Sequence, residues 1–224
     1  MEMFVKNKFV KIISIVLIIA IVLGAVGNLY WQQAIKDSFP VVDGNLKVKG
    51  LQAEVKVVRD QQGIPHIYAS NLHDLFFAQG YTHAQERFWQ MDFWRHIGAG
   101  ELSEMFGKSQ LDTDIFLKTL GWKRIAEKEV ASLKPESVDI LNAYADGVNA
   151  YLDGKSGSQI SLEYVVLKAL NPSYKPAPWT IINSLTWAKA MAWDLRGNMG
   201  EEIARSVLLK TLTPEPVSYT HLRA

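Results

Sequence analysis

Few side chains in this 224-residue chain are spaced for chemistry. His66 lies in the segment DQQGIPHIYA, where an imidazole can act as a base. Yet Gly63 can take positive φ and Pro65 pushes Ile64 toward extended backbone, so the segment reads as a tight turn into a strand, with His66 as a packed, hydrogen-bonded residue. Farther on, Glu86 follows His83 by three positions and His96 follows Asp92 by four, so one helix face can hold either pair. No third ligand is spaced to complete a metal site with either pair. The GxSxG, HExxH, P-loop and GxGxxG patterns are absent, which removes the usual sequence support for an α/β serine hydrolase, a zinc protease and a nucleotide enzyme. Cysteine is also absent, excluding disulfides, thiolate metal sites and a cysteine nucleophile.

The elements that must position these residues begin with a targeting segment. Lys6, Lys8 and Lys11 precede an uncharged run from Ile12 to Ile35, and a helix of about 20 apolar residues spans a bilayer. The basic flank is expected to stay cytoplasmic, which places the remainder outside the cytoplasmic membrane. Two readings stay open: an uncleaved anchor at the cell membrane, extended by the interfacial aromatics Tyr30 and Trp31, or a signal peptide cut after Gly27, releasing a secreted protein. Residues 1–35 are thus a signal anchor or signal peptide, and residues 36–45 a linker closed by Asp43 and Gly44; linker character is expected from Gln32 onward.

Beyond the linker, short β-branched runs predict strands at Leu46–Val48, Val55–Val58 and Pro65–Ala69, arranged like a hairpin. Ser70 or Asn71 can cap a helix carrying Leu72, Phe76, Gly80 and Ala84 at every fourth position, where the small pair lets another element approach closely. A second helix to about Ile97 stacks Phe88, Trp89, Met91, Phe93 and Trp94 on more than one stripe, which predicts burial on several sides. One further helix is expected through Phe116, Leu120, Ile125 and Val130. Pro135 opens a cleaner amphipathic one ended by Asp153 and Gly154. A short helix to Leu170, a proline-bearing loop, a helix capped by Thr180 and ending near Trp193, and a last helix over 200–212 complete the pattern. Residues 213–224 break it and read as a non-native tail.

Composition narrows the partners. With 24 basic against 23 acidic side chains, interspersed and netting +1, no basic stripe exists to neutralise phosphates, so nucleic acid is not an expected partner. Seven Trp, eight Tyr and nine Phe predict a large aromatic core.

The most specific signal is GYTHAQERFWQMDFWRHIGAGELSEMFG. A generic helix needs apolar spacing but not this order of Gly-Tyr, Ala-Gln, an acid-Arg pair, an aromatic, Gln-Met and a closing Gly-x-Leu-x-Glu-x-Phe-Gly. Glu86, Arg87, Gln90 and Arg95 are expected to make buried polar contacts that fix the helix against the sheet. Together with DQQGIPHIYA and WAKAMAWDLRGNMGEEIARSVL, the segment resembles the α-chain region of the penicillin acylase family of N-terminal nucleophile hydrolases, over 46–212.

That resemblance implies an α+β fold: the mostly helical α-chain part of an αββα N-terminal nucleophile hydrolase, preceded by a transmembrane or signal helix. It implies a precursor that cuts itself into two chains, with the nucleophilic serine opening a β chain that this sequence does not reach. The implied reaction is hydrolysis of the amide bond of N-acyl compounds such as penicillins, the partners being the β chain, the small N-acyl substrate and, through residues 12–35, the membrane. Matching position by position puts Met191 and Leu195 on a wall of the acyl pocket and makes Glu202, next to Glu201, a carboxylate ligand of a structural calcium. Ordinary helix core for Met191 and Leu195, and a helix-terminal acid favoured by the helix dipole for Glu202, remain open alternatives. From another class, a membrane-anchored, non-catalytic helical binding domain also stays open.

Overall fold

The computed structural model describes residues 2–195, 197, 199–210 and 212–213, with side chains from residue 11 onward. Residues 214–224, most of the segment read as a tail, lie outside the described residues. Helix α1 runs Glu2–Ser38, longer than its apolar run requires. Its stretch Lys11–Ser38 contains an 18-residue window with a mean hydropathy of 2.8 and is long and apolar enough to cross a membrane. The helix continues through residues expected to be linker, because Ala34, only 3% exposed, packs on the 3-10 turn Gly157–Gln159.

A two-stranded antiparallel hairpin follows, β1 (Lys56–Arg59) and β2 (Pro65–Tyr68), with Arg59 opposite Pro65. Its turn is fixed by Asp60, whose Oδ1 accepts the backbone N–H groups of Gln62 and Ile64, each at 2.9 Å, while Gly63 takes φ 79°. Leu46–Val48, expected as a strand, is irregular. Its backbone finds no ladder partner among the described residues, and a strand without one is not stable in water.

Helix α2 (Leu72–Ala99) is the spine. Asn71 caps it, its side chain accepting the Asp74 N–H at 2.8 Å. The two helices expected here are one helix broken at Arg87, which has φ −141° and ψ 20°. Gly100 ends it at φ 67°, in the left-handed conformation that glycine tolerates. After α3 (Leu102–Phe106) come α4 (Leu111–Leu120) and α5 (Trp122–Val130), two helices where one was expected, since Gly121 at φ 73° terminates the first.

Helix α6 (Pro135–Leu152) starts on its proline and lies along α2. The two approach backbone to backbone: a Cβ on Gly80 would collide with the Tyr144 carbonyl oxygen, and one on Gly147 with that of Phe77. Helices α7 (Glu163–Leu170), α8 (Ile181–Leu195) and α9 (Met199–Leu208) follow. Gly98 brings α8 close in the same way, its hypothetical Cβ falling 2.7 Å from the Thr186 carbonyl. Core residues come from α2, α3, α6, α7 and the loop before α8, including Phe88, Met91, Met105, Val148, Tyr164, Leu167 and Trp179. The described part of the chain is therefore mostly helical, its β structure confined to one hairpin.

Candidate functional site

The densest polar chemistry lies in the second half of α2, around Asp92. Burial of a carboxylate is costly unless it is paired, and Asp92 is fully buried. Its Oδ1 accepts from Arg95 Nε at 2.7 Å, with Arg95 Nη2 also 2.5 Å away, and its Oδ2 accepts the hydroxyls of Tyr164 at 2.5 Å and Tyr174 at 2.7 Å. Arg95 reaches on to the carbonyls of Ala177 at 2.9 Å and Pro178 at 3.3 Å, and its guanidinium lies 5.6 Å from the Trp179 ring centre. Asn149 on α6 closes the clasp, accepting the Trp179 N–H at 2.7 Å and donating to the Trp179 carbonyl at 3.0 Å. One helix, α2, thereby holds α7 and the whole proline-bearing loop.

This cluster is not arranged as an acid or base. Burial, reinforced by the adjacent Asp92 charge, pushes the Tyr164 and Tyr174 hydroxyls well above the ordinary tyrosine range, so both stay protonated donors. His96 places Nδ1 2.6 Å from the Asp92 carbonyl oxygen, so that nitrogen carries the proton, and Nε2 faces the Tyr174 hydroxyl at 3.4 Å. Both Asp92 oxygens are taken. The Asp92–His96 pair is therefore a packing device. His83, the other candidate, places Nδ1 3.0 Å from the Tyr144 hydroxyl.

Of the four polar residues expected to be buried, only Arg95 is; Glu86, Arg87 and Gln90 are exposed and line an open groove beside α2. Glu86 still ties helix to hairpin through Arg59, which also donates to Gln85 at 3.1 Å. Arg87 instead donates to Gln90 at 3.1 Å. His66 is half exposed and sits 3.2 Å from Asp60, a hairpin contact. A second buried acid, Asp74, takes the N–H groups of Gln52 at 2.9 Å and Ala53 at 2.8 Å. Burial opposes its charge, but these bonds and those from Asn71 and His73 prevail, lowering its pKa to about 2.

Away from these clasps the molecule is open. Between α2, α6, α8 and β2 lies an apolar groove of about 700 Å³ lined by Phe76, Met91, Tyr144 and Trp187 among others. Trp187 Nε1 is buried there without a hydrogen-bond partner among the described residues. Met191 is half-buried on α8 and Leu195, at its end, is 76% exposed; neither lines this groove. Glu202 stands in the first turn of α9 beside Glu201, paired with Arg205 at 2.6 Å. No group of three metal-ligating side chains occurs among the described residues. Helix α9 buries nothing and exposes Ile203 and Val207 one turn apart. Met191 and Leu195 stand on α8 and Glu202 on α9.

The penicillin amidase family model matches residues 54–220. The chain belongs to the penicillin amidase family. Among its relatives, the penicillin acylase 2 proenzyme of Pseudomonas sp. (strain SE83) is 37% identical over 66% of this chain and 18% of its own length. The acyl-homoserine lactone acylase QuiP of Pseudomonas fluorescens (strain Pf0-1) is 32% identical over 90% of this chain and 24% of its own. The fold resembles that of the thermostable penicillin G acylase from Alcaligenes faecalis, with a TM-score of 0.56 and 27% identity over 74% of this chain and 88% of that one. The chain thus spans a quarter or less of the length of these two relatives, and the family resemblance read from the α2 motif is borne out.

Proposed function

We propose that this chain is the N-terminal, α-chain part of an acylase precursor that hydrolyses the amide bond of small N-acyl compounds. The observation that carries the reading is the family match over 54–220 together with a solved acylase chain that the fold covers almost end to end. In this reading 46–212 forms the α chain, and the nucleophilic serine opens a β chain lying beyond it. Its hydroxyl attacks the acyl carbonyl while its own α-amine takes the proton. The αββα layers would be completed by the strands of that β chain.

The present residues position rather than react. The Asp92 clasp holds α7 and the loop to Trp179 on α2, which sets where α8 begins and hence where Met191 and Leu195 stand. Those two residues would form one wall of the acyl pocket. The open apolar groove and the exposed stripe of α9 support a partner chain that covers them. Calcium is proposed only as an ion shared with that partner, to which Glu202 would contribute one carboxylate. Helix α1 would anchor the precursor in the cell membrane with its body outside the cytoplasm; cleavage after Gly27 would instead release it.

Residues 1–224 expressed alone should show no turnover of phenylacetyl or longer acyl anilides, whereas a precursor extended through the β chain should process itself and become active. Activity of the short chain that is lost on mutating one of its own serines overturns the reading. A cytoplasm-only reporter fused after Leu51 should be silent; strong signal there reverses the topology.

A further inference from the structure

A cavity of about 600 Å³ opens between α1 and the body, lined on the helix by Tyr30 and Asp37 and on the body by Lys155, Lys168 and Lys175 together with the 156–160 turn. Tyr30, Ala34 and Asp37 share one face of α1, and the small Ala34 side chain is where helix and body touch. The uncharged run from Ile12 reaches Trp31 after twenty residues, and at 1.5 Å per residue that crosses about 30 Å of hydrocarbon. Tyr30 and Trp31 therefore mark the far interface, where such rings settle. The cavity begins at that level and extends away from the hydrocarbon, at the depth of the lipid headgroups.

The charges fit that depth. Lys168 and Lys175 are exposed, and among the described residues neither is paired with a carboxylate. Lys155, at the back, holds its ammonium 3.4 Å from the Tyr151 ring centre and likewise has no acid partner. Against these three cations the lining offers one acid, Asp37, whose Oδ1 accepts from Gln33 at 2.8 Å. We propose that this cavity receives the phosphate of an anionic phospholipid from the leaflet that α1 exits, with Lys168 and Lys175 as its principal contacts, so that the body rests in one orientation on the membrane. The inference depends on the anchor reading of α1.

The test uses the full chain in nanodiscs of phosphatidylcholine alone or of phosphatidylcholine mixed with phosphatidylglycerol, reading amide hydrogen exchange over 155–160 and 168–175. Anionic lipid should slow exchange there by about fivefold for each lysine engaged, the gain falling as salt is raised and disappearing in the K168Q/K175Q double variant. Equal exchange in the two lipids overturns the proposal. If inorganic phosphate in detergent protects the segments as well as the anionic bilayer does, the site is one for soluble phosphate and the lipid assignment is wrong. Alkaline extraction of the same membranes distinguishes the two failures: a chain that washes off refutes the anchor, whereas one that stays but ignores lipid charge refutes only the headgroup site.

Discussion

Around Asp92 the two carboxylate oxygens meet one guanidinium and two phenols, all from this chain. Around Leu195 and Glu202, apolar and acidic side chains alike face solvent, and α9 buries none of its residues. The two regions are separated by one helix, α8, yet follow opposite rules. A buried ion pair broken on one side leaves an uncompensated charge, so the first region tolerates little change. Among the described residues the second buries little that a substitution could disturb. The contrast locates the scaffold in the first region and, on the proposed reading, the partner-facing surface in the second.

The sharpest way to break that contrast is at Asp92. Asp92→Asn leaves the buried Arg95 without its counter-charge and should cost about 3–5 kcal/mol in urea unfolding of the detergent-solubilised chain. Tyr174→Phe, which removes one bond to the carboxylate, should cost about 1.5–3 kcal/mol. Leu195→Ala should stay within about 0.5 kcal/mol, as surface changes do. If Asp92→Asn and Leu195→Ala cost the same, the division into scaffold and partner surface fails.

A smaller effect tests whether the scaffold depends on backbone contact as much as on charge. Gly147→Ala drives a methyl into the Phe77 carbonyl and should force α6 away from α2, costing about 1–3 kcal/mol with a lower thermal midpoint. Gly154→Ala, whose Cβ would meet open space, gives no such clash and loses only the ease of its φ of 70°. Equal losses from the two would mean that left-handed backbone, rather than helix approach, dominates.

Acid titration probes the other clasp. Asp74 has its pKa lowered to about 2, so it stabilises the fold above the ordinary carboxylate value and loses that contribution as pH falls from about 4 through about 2. The thermal midpoint should therefore drop over that window, and Asp74→Asn, already less stable at neutral pH, should show a shallower drop. An unchanged acid limb in the variant removes Asp74 from the account.

How much of this was legible in the chain depended on whether the signal was local. The cap expected at Ser70 or Asn71, the start of α6 at Pro135 and the close approach at Gly80 each have a local signal, and the structure has Asn71 as the cap and the other two where the spacing placed them. The division at Gly121 is not legible in the sequence because Phe116, Leu120, Ile125 and Val130 keep an apolar rhythm across a glycine that a helix can also tolerate. The Asp92 clasp was not readable at all. Its tyrosines stand 72 and 82 residues away, and nothing in the spacing of a motif says which of its polar residues will turn inward. The same gap explains why Glu86, Arg87 and Gln90 were expected inside and lie outside.

The smallest effect within this chain, and the one that most sharpens the comparison, is at Glu202. Among the described residues it pairs with Arg205 at 2.6 Å, an exposed i,i+3 pair, and such pairs contribute about 0–1 kcal/mol. Glu202→Ala should therefore leave the stability of residues 1–224 nearly unchanged, as should Glu201→Ala. In the precursor the two should part. If Glu202 completes a calcium set whose other oxygens come from the partner chain, Glu202→Ala should slow processing or lower heat resistance, and added chelator should do little further harm because the site is already damaged. Glu201→Ala should process normally and remain chelator-sensitive. A hard cation needs several oxygens held at once, so losing one ligand weakens the whole set, whereas losing a helix-terminal charge removes only a small dipole term. Both variants processing normally and losing the same stability on chelation would reduce Glu202 to that second role.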